Sequence, residues 1–195
     1  MATQLTSVQI TQVIAAGYPE SQKTYIDKVW QAYNKVFNYT TINFDNFIYF
    51  IKTFKTISTA SECPSKASAY ARAVYLEVSN TTQRPLNCDY IFDCMYNRKT
   101  GWGVSWDEAF AGLDGLNNKK DVYWHNHMKD PFSDCAWSSN ACEALVKAYN
   151  NCLRVQDGVY GRLTDLPSNL YFFNADETNS PNEVKYGDFY FRPEF

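Results

Sequence analysis

Apolar positions recur at three- and four-residue steps over much of the chain, the spacing that lines one face of a helix. Between Pro19 and Phe37, the residues Ile26, Val29, Trp30, Tyr33, Val36 and Phe37 share such a face and predict a helix. After the polar break Asn38 to Asn43, the spacing of Phe47, Ile48, Phe50, Ile51 and Phe54 predicts a buried helix over Phe44 to Ile57, with Asp45 as its cap. A hinge is expected in the Ser/Thr-rich stretch near Ser58 to Pro64. Ser65 to Val78 reads as a third helix through Ala69, Ala73, Val74, Tyr75 and Leu76, and its small residues let a neighbouring helix approach closely. Two more are expected, over Asp89 to Arg98 and over Val104 to Leu113, followed by a polar loop from Asp114 to Asp121. The cleanest periodicity lies in Ala141 to Val155, where Cys142, Leu145, Val146, Tyr149, Cys152 and Leu153 share a face and Gly158 follows as a stop.

The tail changes character. Leu170 to Phe173 and Phe189 to Phe191 are short aromatic runs bounded by Pro, Asn, Asp and Gly, which predicts two antiparallel strands closed by the polar loop Ala175 to Lys185. Helices followed by a small C-terminal β unit make the expected class α+β. Residues 1–62 are expected to form a helical N-terminal extension packed on a catalytic part spanning 63–195.

Composition narrows the function. With 195 residues the chain is long enough for a substantial core, and 18 Lys plus Arg against 21 Asp plus Glu give a net charge of −3. Interspersed charges of that balance argue against nucleic acid as a partner, since displacing counterions from a phosphate backbone needs a basic stripe. No run approaches the length of a membrane span, and Met1 to Gly17 lacks the basic start of a signal peptide, so neither a membrane span nor a secretory signal is expected. Six cysteines, at 63, 88, 94, 135, 142 and 152, would then be made in a reducing compartment and read as buried thiols rather than bridges. There is no Cys-x-x-Cys pair. His125 and His127 have no acidic or thiol partner at a ligand spacing, so no metal and no cofactor are expected. The aromatic content, 17% with 15 Tyr and 5 Trp, exceeds the needs of a minimal core and leaves ring faces for stacking on a ligand.

Glu77 falls in the last turn of the third predicted helix, where the macrodipole disfavours a negative charge. The carboxyl there is either solvated or kept protonated for a purpose.

Four short elements carry a resemblance: Ala71-Arg72-Ala73-Val74-Tyr75-Leu76-Glu77, Tyr96-Asn97-Arg98, Leu170-Tyr171-Phe172-Phe173-Asn174 and Tyr186-Gly187-Asp188-Phe189-Tyr190-Phe191. In that order they resemble the cell wall hydrolase family of spore-cortex-lytic enzymes, over about residues 66 to 195. The resemblance implies a lysozyme-like fold and cleavage of the β-1,4 bond between N-acetylmuramic acid and N-acetylglucosamine in peptidoglycan. It implies lytic transglycosylation with Glu77 as acid and then base, the sugar's own 6-hydroxyl attacking to leave a 1,6-anhydro end. A partly apolar cleft, to which Tyr75 would contribute, suits an acid that must keep its proton. Asn97, Arg98, Tyr171 and Asn174 would border the sugar, and Phe132 stands in Pro131-Phe132-Ser133 where the family has Gln-Phe-Ser, after an insertion-like stretch from Asn117 to Lys129. The family's second acid has no counterpart in Val78-Ser79-Asn80-Thr81-Thr82. For a conventional hydrolase, Asp89, Asp93 and Asp134 are the candidates for the second carboxylate.

The expected source is a phage: an endolysin or virion-associated enzyme made in the host cytoplasm and acting on peptidoglycan glycan strands. The rival expectation is a non-catalytic virion protein that keeps the fold and binds other virion proteins through its aromatic N-terminal region. A cysteine peptidase built on Cys94 or Cys135 ranks third.

Overall fold

A computed structural model describes residues 4–54, 63, 65–79, 81–113 and 132–193. The described residues include seven α-helices, two 3-10 turns and three short strands, an α+β arrangement dominated by helix.

Helix α1, Ser7–Ala15, starts at a capping box in which Thr6 and Gln9 exchange hydrogen bonds between side chain and backbone. It was not legible as a helix, because Thr, Gln and Ser interrupt its apolar positions. Helix α2, Lys23–Val36, buries the predicted face through Ile26, Val29, Trp30 and Tyr33. Helix α3, Phe44–Thr53, ends short of the expected Ile57, and its cap is Asn43, whose side chain accepts from the Asn46 amide at 2.8 Å. Asp45 lies instead in the first turn, where its charge complements the helix dipole. The expected hinge and the loop after Leu113 fall outside the described residues, Cys63 excepted.

Helix α4, Lys66–Val78, is capped by Ser65 and lies in the middle of the molecule. Ala67, Ala71 and Ala73 are buried along it, and their small size admits α7, Ser139–Gln156, to close contact. Helix α7 also packs on α2 and on α5, Arg84–Gly101. Helix α6, Trp106–Phe110, is a single capped turn that lies against α5.

The β unit has three strands, where the sequence pattern predicts two. β1, Phe172–Asn174, and β2, Val184–Tyr186, both pair antiparallel with a central β3, Phe189–Arg192. Phe173 faces Phe191 in one ladder and Tyr186 faces Phe189 in the other. β2 escaped the pattern because Val184 and Lys185 are exposed on an edge strand. Between β2 and β3 the turn needs Gly187: its φ is 58°, and a Cβ there would lie 2.2 Å from Asn87 Oδ1.

One hydrophobic cluster runs through all of these elements, from Leu5 to Phe191. Its aromatic centre joins the N-terminal helices to the rest: Phe50 lies 5.5 Å from Phe132 and 4.8 Å from Tyr149 between ring centroids.

Candidate active site

Helix α4 delivers Glu77, half-buried in its last turn, to a cleft of about 520 Å³. The other walls come from elements distant in sequence. The end of α5 supplies Arg98 and Trp102, α6 supplies Glu108, and Gly112 follows it. β1 and the residue after it supply Phe172, Phe173, Asn174 and Ala175, while β3 supplies Phe189 and Arg192. The lining is mixed: four aromatic rings, Trp102, Phe172, Phe173 and Phe189, stand beside two carboxyl groups, two guanidinium groups and one amide.

Arg98 organises one side. Its Nε donates to the Tyr171 carbonyl at 2.6 Å and its Nη1 to the Ala109 carbonyl at 3.1 Å, tying the residue before β1, and α6, to α5. Its guanidinium lies over the Phe172 ring at 5.2 Å and the Trp102 ring at 5.7 Å. A Cβ at Gly112 would stand 2.9 Å from Nη1, so this glycine is what lets the cation reach the cleft wall. Burial lowers the Arg98 pKa from its ordinary value. On the sheet side, Arg192 donates from Nη1 to Thr178 Oγ1 at 2.9 Å, and the Asn174 amide oxygen accepts from the same nitrogen at 3.3 Å.

Glu108 is the second carboxylate of this cleft. Its Oε2 accepts from the Ser105 amide at 2.8 Å and the Ser105 hydroxyl at 2.7 Å, forming the capping box of α6. Those bonds hold its carboxyl below the usual range, and it remains ionised at neutral pH.

Of the residues singled out from sequence, Glu77, Arg98 and Asn174 line the cleft together. The others do not. Tyr75 is fully buried on the inward face of α4 and donates its hydroxyl to Asp134 Oδ2 at 2.7 Å; burial, then that hydrogen bond, pushes its pKa up. Phe132 is fully buried among Tyr18, Phe50 and Phe54. Asn97 is a buried clamp: Nδ2 donates to the carbonyls of Pro167 and Leu170, both at 2.8 Å, and Oδ1 accepts from Arg162 at 2.8 Å. Tyr171 is half-buried against Gly101 and Trp102 and is not among the residues that line the cleft. For Asn97 the cause is helical geometry. Adjacent positions on a helix or strand point in different directions, so of the pair Asn97-Arg98 only one can face any given cavity.

The candidates for a second carboxylate are also placed elsewhere. Asp89 is buried, paired with Lys147 and accepting from Asn151 Nδ2 at 3.0 Å. Asp93 is fully buried and accepts from the amides of Leu163 and Thr164 at 2.9 and 2.6 Å. Asp134 is the partner of Tyr75. Sequence reading missed Glu108, Trp102, Phe172, Phe173 and Arg192. Glu108 left a local trace in the Ser105-x-x-Glu108 pattern of a capping box, and Phe172 and Phe173 one in the aromatic run of β1, though neither pattern points to a cleft.

Cys88, Cys94, Cys135, Cys142 and Cys152 are buried, and burial pushes the Cys94 thiol up to about 12. Neither Cys94 nor Cys135 lines the cleft. Among the described residues no group of three or more His, Cys, Asp or Glu is placed to hold a metal ion. His125 and His127 fall outside those residues. No helix among the described residues is long and apolar enough to cross a membrane. Compared with known protein families, curated proteins and solved structures, the chain matches none.

Proposed function

We propose that the chain is a peptidoglycan-cleaving enzyme that acts on the β-1,4 bond between N-acetylmuramic acid and N-acetylglucosamine. The observation that carries this reading is Glu77, a carboxyl at a helix end opening into a cleft walled by Trp102, Phe172 and Phe173 and edged by the Asn174 amide. Aromatic faces suit sugar rings, and an amide suits hydroxyl and acetamido groups. Glu77 protonates the leaving glycosidic oxygen, then takes the proton back as the 6-hydroxyl of the cleaved sugar attacks its own anomeric carbon. A transglycosylase of this kind keeps water out of the product, and the released glycan ends in a 1,6-anhydro ring. The glycan strand is the partner, and action at a bacterial wall by a phage-encoded protein, free or carried in a virion, belongs to the same proposal.

The test is digestion of purified peptidoglycan sacculi with the protein and its Glu77→Gln variant, fragments being read by mass spectrometry. Glu77→Gln keeps the shape of the side chain and cannot deliver a proton. The expected outcome is fragments one water lighter than reducing muropeptides from the unaltered protein, and a loss of about 100-fold or more in the variant at unchanged thermal stability. Equal release by both proteins removes Glu77 from the mechanism. No release from either folded protein favours the non-catalytic reading, a virion component with this fold.

A further inference from the structure

The resemblance supplies one acid, and the family's second acid is absent from the chain after Val78. The cleft nevertheless holds two carboxyl groups, because α6 brings Glu108 to the same cavity that α4 brings Glu77 to. Their settings differ. Glu77 is half-buried at the C-terminal end of a helix, whereas Glu108 is exposed near the N-terminal end of one and held by two donors from Ser105. No Lys or Arg among the described residues forms an ion pair with Glu108.

On the glycan-cleaving reading above, we infer that Glu108 is a second catalytic carboxylate, the fixed negative charge that faces the sugar as its glycosidic bond breaks. The bond from the anomeric carbon to the leaving oxygen opens with its electron pair on the oxygen, which takes the proton of Glu77. Positive charge then spreads over the anomeric carbon and the ring oxygen. A carboxylate already ionised and already oriented stabilises that charge without having to reorganise. The 6-hydroxyl oxygen next bonds to the anomeric carbon and its proton returns to Glu77, so both carboxyl groups end as they began. One carboxyl group that hands over a proton and one that remains charged is the division of labour this chemistry asks for.

Capping α6 is the other task open to Glu108, and the two tasks separate by substitution. A capping box accepts Gln at this position as readily as Glu. Glu108→Gln therefore keeps the hydrogen bonds from Ser105 and removes only the charge, while Ser105→Ala keeps the charge and removes the hydroxyl. With sacculi as substrate, Glu108→Gln is expected to melt as the unaltered protein does and to lose about 100-fold in kcat with little change in KM. Ser105→Ala is expected to lose less than about tenfold. A second variant, Glu108→Ala, is measured with and without sodium formate, and a free carboxylate in the vacated space should restore part of the turnover. Full activity of Glu108→Gln beside an inactive Glu77→Gln overturns the role of Glu108 and leaves that of Glu77 standing. Failure of the unaltered protein to cleave sacculi overturns both.

Discussion

Asn97 and Arg98 show how finely a single position is decided. Both sit near the end of α5, yet the amide turns inward to hold the Pro167 to Leu170 segment and the guanidinium turns to the cleft. Their residue types suit either task, so chemistry alone did not separate them. The cysteines give the opposite case, since residue type and the absence of a Cys-x-x-Cys pair already pointed to buried thiols. Burial raises the Cys88, Cys94 and Cys152 thiols above their ordinary value, which keeps them protonated and unreactive at neutral pH. Treatment of the native protein with a thiol reagent at about pH 8, followed by peptide mass spectrometry, should leave these three unlabelled, and denaturant should expose them. Labelling in the native state would contradict their burial.

Helix α5 makes the same point at the scale of an element. Apolar spacing indicated Asp89 to Arg98, but the helix begins at Arg84 and its boundary residue Gln83 makes no side-chain cap. The cap is supplied from the far end of the chain. Asp188, in the turn between β2 and β3, accepts from the Thr82 amide at 3.0 Å, the Gln83 amide at 2.8 Å and Asn87 Nδ2 at 2.8 Å. Burial alone would raise the Asp188 carboxyl, and these hydrogen bonds outweigh it and hold it below the ordinary value. Asp188→Ala should therefore cost about 1 to 2 kcal/mol in urea unfolding near neutral pH. A depressed folded pKa stabilises fully above the unfolded value of about 3.9 and is lost as pH falls through the folded one. The gap between the unaltered protein and Asp188→Ala should close on acidification below about pH 4, and a gap that persists unchanged to about pH 2 would show that the charge of Asp188 is not what holds the turn.

Across the whole molecule, the first helices and the cleft-bearing part are joined by aromatic packing. Phe50 is fully buried and meets Tyr33 from α2, Tyr149 from α7, and Phe132, so it belongs to no local unit. Phe50→Ala should cost about 3 to 5 kcal/mol, since a large ring leaves a cavity that rigid neighbours on several elements cannot close. Denaturant unfolding should shift as one transition. A loss under about 1 kcal/mol, or a separate early transition, would show that residues 4–54 fold apart from the remainder.

Periodicity settled the helices α2, α3, α4 and α7, the aromatic strands β1 and β3, and thereby the α+β class, because each depends on which face of one segment must leave water. It also marked Glu77, since a carboxyl in the last turn of a buried helix is legible from the helix alone. Edge strand β2, the cap on α5 and the company Glu77 keeps were decided by tertiary structure. Glu108, Trp102, Phe173 and Arg192 reach the cleft from four places in the chain, and no pattern within a segment encodes a meeting between segments. Such a meeting depends on how helices and sheet dock, which the packing of the shared core determines.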